Sequence, residues 1–357
     1  MVTFEELQNF YCGKKVFVTG HTGFKGSWLV LLLLQLGAEV TGYAFPAKQG
    51  ELFDLLQLED KMHSIVGDVR DKVKLKQAVR ESEALVVVHL AAQPLVRASY
   101  QEPAYTYETN LMGTVNILEA VRLAETVKSF INVTTDKVYL NHENNKPFIE
   151  EERLDGYDPY SNSKSCSELI TACYKRSFFT KRDISISTVR AGNVIGGGDF
   201  AEDRIIPDCA RASMAHETII IRNPMAVRPF QHVIEPIVSY LVLAMKQYEN
   251  QTLADCYNIG PEESDCVTAG ELASLFCASW GQGQTWVVQG DQGAQEAHEA
   301  GVLRLDSSKI KNRVDITPRW GIAQSIEETV KWYKEFEKSG DIYKCMIKQI
   351  ERYMNLC

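Results

Sequence analysis

The chain lacks a long apolar run. The longest, Trp28 to Leu34, is broken by Gln35 and Gly37, and a membrane span needs about 20 residues. It reads as a buried helix. A leader pattern is missing too, because Glu5 and Glu6 stand where a basic segment followed by an apolar one belongs. Positive charge is not in excess: 38 Lys and Arg face 47 Asp and Glu, a formal net charge of −9. Phosphate-backbone binding relies on a basic surface, so no nucleic-acid partner is expected. Of the nine cysteines none form a C-x-x-C pair, and their number is odd. Neither a metal site nor a disulfide framework is indicated. Internal repeats and low-complexity linkers are also absent. What remains is 45% hydrophobic and 24% charged, ordinary proportions for a soluble globular enzyme. The expectation is a cytoplasmic protein away from membranes. Its 357 residues suggest two domains, or one large domain with a lobe.

The first half alternates apolar runs with helix-period segments. Strand candidates are Lys15–Thr19, Glu39–Tyr43, Ser64–Val66, Leu85–Leu90, Ser129–Val133 and Ile184–Val189. Between them lie helical patterns at Gly23–Leu36, Asp71–Ser82, Tyr107–Ala124 and Tyr160–Phe179. Continuous Val/Ile/Leu strands separated by helices predict a parallel sheet covered on both faces. The predicted fold is therefore α/β, a doubly wound Rossmann sheet. Residues 1–190 would form it, with 230–260 returning to it. Residues 191–357 would mainly form a smaller C-terminal α/β lobe over the carboxyl ends of the strands, where such sheets bind ligands.

Gly20-His21-Thr22-Gly23-Phe24-Lys25-Gly26 follows the first strand and opens a helix. Glycines at these spacings permit a tight turn, close approach of backbone to a pyrophosphate and close helix–strand packing. The helix N-terminus adds free N–H donors and partial positive charge. The second strand ends Gly42-Tyr43-Ala44-Phe45 without the acid that grips an adenosine ribose. On residues alone the nicotinamide cofactor could be NAD or NADP.

Tyr160 and Lys164 stand four residues apart on one helix face. A nearby cation favours the phenolate, and a shift of ~3 units corresponds to about 4 kcal/mol. Such a tyrosine can remove a hydroxyl proton while a nicotinamide accepts hydride from the same carbon. Thr134-Thr135-Asp136-Lys137 follows the strand Ser129–Val133, where a doubly wound sheet places its chemistry. Its adjacent acid and base suit an elimination. Thr and Asp also simply build turns at strand ends.

Together these segments resemble the extended short-chain dehydrogenase/reductase family, in its sugar-nucleotide branch, and within it the CDP-glucose 4,6-dehydratases. Further matching segments are Gly67–Asp71, Ala91–Arg97, Gly156–Lys164, Arg190–Asp199, Asp203-Arg204, Ile221–Pro224, Arg228–Val233, Asn258–Pro261 and Glu296–His298. The resemblance implies a tightly held NAD, touched by Gly20, His21, Thr22, Gly23, Phe24, Lys25, Gly26, Asp68, Val69, Ala91, Ala92, Gln93, Tyr160, Lys164 and Arg190. It implies catalysis by Tyr160, Thr135 and Lys164 at the 4-hydroxyl, Asp136 at the departing 6-hydroxyl and Lys137 at C5. Gln93, Asn193, Arg204, Arg222, Arg228 and His298 would hold the nucleotide sugar, a CDP-hexose. The segment Leu140–Glu152 and the residues after His298 depart from the family pattern. An epimerase or reductase of the same fold shares Tyr160 and Lys164 but does not require the Asp136-Lys137 pair. Family analogy adds a homodimer or homotetramer, built on the helices Tyr107–Ala124 and Tyr160–Phe179.

Overall fold

The computed structural model describes residues 2–143, 146–289 and 301–355. Seven strands form its main sheet: β1 (Lys15–Thr19), β2 (Glu39–Ala44), β3 (His63–Val66), β4 (Val86–His89), β5 (Ser129–Val133), β6 (Ser185–Ala191) and β7 (Cys256–Ile259). They lie in the order β7-β6-β5-β4-β1-β2-β3, every pair parallel. The order reverses at β1, which pairs with β2 on one side and β4 on the other. A ligand cleft is expected outside the carboxyl ends at that point.

Side-chain alternation explains why the strands read as continuous apolar runs. Val16, Val18, Val86, Val88, Ile131 and Val133 join one core, with Leu29 and Leu33 of helix Phe24–Gln35 and Ile237 and Leu241 of helix Ile234–Glu249. Phe17, Val87, Phe130 and Ile186 join the other, with Leu75 and Val79 of helix Lys72–Ser82 and Ile117 and Val121 of helix Gly113–Leu123. Each fully buried aliphatic side chain stabilises by about 1.5–3 kcal/mol, so both faces hold the sheet. The run Trp28–Leu33 is buried as expected. No helix among the described residues is long and apolar enough to cross a membrane.

Beyond β6 the described residues form, among others, helices Ile205–Met214, Ala269–Trp280 and Ile322–Glu337 and three two-stranded sheets. Trp28 Nε1 donates to the Gly197 carbonyl at 3.0 Å, fastening this part to the sheet helix.

Two helices differ from expectation. The pattern read as Tyr107–Ala124 begins at Pro103, whose missing N–H suits a first helical position. It then widens into a π turn at Glu108–Met112 before running on as Gly113–Leu123. Within that turn Asn110 Oδ1 accepts from Gln93 N at 2.8 Å and Nδ2 donates to Gln93 O at 3.1 Å. The second helix spans Pro159–Tyr174, with Asp158 capping Ser161 N, and ends in a π turn at Lys175–Phe179.

Candidate active site

A cavity of about 950 Å³ opens at the carboxyl ends of the strands. Its floor is the turn between β1 and the helix Phe24–Gln35. Gly20 adopts φ +77°, and a Cβ there would lie 2.8 Å from Ala91 N. At Gly26 a Cβ would lie 2.1 Å from the Gly20 carbonyl, so only glycine lets the helix sit this close. Gly23 is different. Its Cβ would meet only Gly20 O, at 3.6 Å, and the residue lines the cavity as the helix N-cap without a side-chain cap bond. Free N–H groups and the helix dipole therefore face open space, which fits a dinucleotide pyrophosphate.

The wall above it carries the acid–base groups. Thr135, Asp136, Lys137, Tyr160 and Lys164 all line the cavity. Thr135 Oγ1 donates to Asp136 Oδ1 at 2.9 Å, while Oδ2 is buried without a hydrogen-bond partner. Burial raises the Asp136 pKa despite the opposing pull of Lys137, the Thr135 bond, Arg228 and Lys25. A carboxyl held toward its protonated form with one oxygen free is equipped to donate a proton. Lys164 Nζ donates to Val133 O at 3.0 Å. Burial and the neighbouring Lys25 bring Lys164 down to about 8, with Glu168 working the other way. Tyr160 is pushed up to about 12 by burial, against a bond with Thr135. Burial, not Lys164, dominates the shift of the phenol, and the ammonium is engaged by the strand end.

Cations lie close to these groups. Lys25, Arg204, Arg222 and Arg228 line the cavity, with the neutral amide of Asn193 beside them. Lys25 falls to about 8 through burial and then Arg204, although Asp136 and Asp199 oppose that. Arg204 Nη1 bonds Asp199 Oδ2 at 2.9 Å. Arg222 and Arg97 share Asp203 Oδ1, at 2.8 and 3.1 Å. Acids line the same cavity, so the arginines sit in ion pairs whose partners a diphosphate would replace or join.

Most of the expected cofactor residues reach the cavity: Gly20, Thr22, Gly23, Phe24, Lys25, Gly26, Asp68, Val69, Ala91 and Ala92. Three expected residues are not in the cavity lining. His21 is fully buried away from the cavity, with Nε2 2.9 Å from Ser64 Oγ and its ring against Gly42. Burial takes it to about 4, so it is a neutral packing residue. Gln93 turns inward, its side chain bonded to Leu95 and Thr106, and is not part of the cavity lining. Arg190, near the end of β6 and beyond the expected strand end, is buried and held by Glu168, Tyr139 and the Glu150 carbonyl. His298 lies outside the described residues.

The profile of the family described as "GDP-mannose 4,6 dehydratase" matches residues 17–339. The chain belongs to that family. A CDP-glucose 4,6-dehydratase of Salmonella typhimurium is 43% identical over 355 residues, covering 98% of each chain. A dTDP-glucose 4,6-dehydratase of Xanthomonas campestris pv. campestris is 26% identical over 336 residues, 88% of this chain and 92% of that one. Among solved structures, dTDP-glucose 4,6-dehydratase from Bacillus anthracis in complex with NAD superposes with a TM-score of 0.76 at 23% identity. That match covers 92% of this chain and 99% of the other. UDP-glucose 4-epimerase from Thermotoga maritima gives 0.78 at 22% identity, covering 90% and 99%. Both show the doubly wound fold.

In this dehydratase-family chain the sequence reading missed Asp199, Asp203 and Glu168. Asp199 and Asp203 sit inside or beside matched segments, but nothing in the string reveals that each anchors an arginine. Glu168 follows Lys164 by one helical turn, a spacing that places both on one face.

Proposed function

We propose that the chain is an NAD-dependent hydro-lyase converting CDP-glucose to CDP-4-keto-6-deoxyglucose. The observation that carries this reading is the turn Thr135-Asp136-Lys137 lining the same cavity as Tyr160 and Lys164. An oxidation site and an elimination site then share one sugar. The 43% identical Salmonella relative supports CDP-glucose as substrate over other nucleotide sugars. NAD, when bound, supplies the redox chemistry, taking up a hydride from C4 and returning it at C6.

Gly20, Gly23 and Gly26 admit the cofactor's pyrophosphate, and Lys25 adds charge. Tyr160 as phenolate removes the 4-hydroxyl proton, with Thr135 sharing that proton and Lys164 holding positive charge beside it. The C4 ketone acidifies the C5 proton. Lys137 removes that proton while Asp136 protonates the departing 6-hydroxyl, so the C6–O bond breaks and water leaves. C5 regains a proton from solvent as C6 is reduced. Arg204, Arg222 and Arg228 hold the diphosphate, and Asn193 a hydroxyl or the nucleotide. A homo-oligomer joined through Met112, Leu123, Leu169 and Phe178, exposed apolar residues along the two long helical stretches, completes the proposal. So does a cytoplasmic setting.

The test is mass spectrometry of CDP-glucose, dTDP-glucose and GDP-mannose incubated with the protein and NAD in deuterated water. CDP-glucose alone should lose one water and retain one deuterium. Unchanged composition with a shifted sugar configuration would indicate an epimerase, and no reaction with any of them would overturn the enzyme reading.

A further inference from the structure

Arg190 Nη2 lies 2.9 Å from Glu168 Oε2, both side chains 3% exposed, the deepest ion pair among the described residues. Replacing such a pair with apolar groups is often neutral or stabilising. Stability is therefore a weak account of it, and its contacts give a better one. Glu168 accepts from Thr134 Oγ1 through Oε1 and from Thr188 Oγ1 through Oε2, the latter at 2.6 Å. Arg190 Nη1 donates to Tyr139 OH at 2.8 Å and to Glu150 O at 2.9 Å. The Tyr139 hydroxyl in turn donates to Asn258 Oδ1 on β7. Thr134 directly precedes the turn Thr135-Asp136-Lys137, and Tyr139 follows it by two residues. One member of the pair grips each end.

Glu168 has a second relationship. It lies one helical turn beyond Lys164 on the helix Pro159–Tyr174. The charged groups acting on Lys164 are Lys25 from the helix after β1 and Glu168 from its own helix, and His89 at the end of β4 lies within range of the ammonium. Lys25 disfavours the ammonium and Glu168 favours it, while His89 is neutral, held near 3 by burial and by Lys164 itself. Glu168 is the anion of that set.

We propose that Glu168 and Arg190 are positioning residues for the proton-transfer site: the pair clamps both ends of the Thr135–Lys137 turn, and Glu168 supplies the counter-charge of Lys164. Neither touches substrate or cofactor. The proposal deepens the dehydratase reading, and one of its two readouts is independent of it.

Glu168→Gln alone strands a buried guanidinium and is expected to destabilise the fold. The informative variant is Glu168→Gln with Arg190→Met, which removes both charges. The first readout is competitive acetylation of lysines in the full chain across pH, followed by peptide mass spectrometry; it titrates Lys164 without any substrate. In the double variant the Lys164 midpoint should fall by about one pH unit or more. The second readout is turnover of CDP-glucose. Here kcat should fall tenfold or more, with KM within threefold of the native value. Thr134→Val, which removes one grip and keeps the ion pair, should lower kcat in the same way without moving Lys164. A double variant with native kcat and an unshifted Lys164 overturns the proposal. If the double variant does not fold, native kcat in Thr134→Val overturns the clamp. A Lys164 shift in a protein that dehydrates nothing sinks the dehydratase reading and leaves the counter-charge standing.

Discussion

Lys164 donates from Nζ to the carbonyl oxygen of Val133 at 3.0 Å, tying the ammonium to the last residue of β5. An ammonium has three donors, so two remain for hydroxyls that enter the cavity. Burial already disfavours its charge. Replacing it by Met removes that penalty while filling similar volume. Lys164→Met should therefore melt no lower than the native protein while kcat falls by about 10²–10⁴, the span of positioned acid–base groups. Calorimetry beside a product assay decides it. A melting point several degrees lower would mean that Lys164 is chiefly structural.

Asp136 separates two steps that Tyr160 cannot. Its unpartnered Oδ2 and raised pKa suit it to protonate a leaving hydroxyl, a job an amide cannot perform. Asp136→Asn should still oxidise the sugar at C4 but fail to expel water. Mixed with NAD and CDP-glucose, the variant should accumulate the reduced cofactor's near-ultraviolet absorbance, with dehydrated product slowed at least a hundredfold. Native product formation would remove Asp136 from the mechanism.

The sheet was legible because strands buried on both faces are rich in apolar residues, and β1, β4 and β5 each carry them at consecutive positions, Val16–Val18, Val86–Val88 and Phe130-Ile131. Tyr160, Lys164 and Thr135–Lys137 were legible because each directly follows or opens a regular element. The inward direction of His21 and Arg190 was not legible for one reason: a polar residue inside a matched segment looks like a ligand until its direction is known. Gly42 makes room for the His21 ring, and Glu168 draws Arg190 inward. Both compensations lie more than twenty residues away in sequence, beyond any local pattern. The π turn at Glu108–Met112 was hidden similarly, since its Asn110 bonds to Gln93 in another loop.

Two glycines of the cofactor turn should respond in opposite ways. Gly26→Ala places a methyl 2.1 Å from the Gly20 carbonyl, and the backbone must move. Overpacking of this kind costs about 1–3 kcal/mol, so the variant should melt several degrees lower. Gly23→Ala meets nothing closer than 3.6 Å and has φ −78°, so the fold should persist. Its methyl instead enters the space reserved for the pyrophosphate. Thermal melts with and without NAD test this: Gly23→Ala should keep the native melting point and lose most of the NAD-induced rise. An undiminished rise would place the pyrophosphate elsewhere.

Three buried histidines make stability fall on the acid side. Burial first, with Lys164 adding at His89, holds His21 near 4, His89 near 3 and His232 near 3, all below the ordinary 6.5. The unfolded chain therefore binds protons that the native state refuses. The contribution is fully present above about pH 6.5 and is lost as pH falls toward 4 and then 3, by up to about 1.4 kcal/mol per unit per histidine. Asp136, Glu150 and Glu235, whose pKa values burial raises, oppose this in part. His232 isolates one share of the effect. Its ring lies edge-on between Trp28 and Trp320, at 5.5 and 5.0 Å between centroids, so phenylalanine fits the same slot. Urea unfolding at pH 7 and 5.5 should give a shallower pH slope for His232→Phe than for the native chain, by about 1 kcal/mol per unit. Equal slopes would mean that His232 is charged in the folded protein.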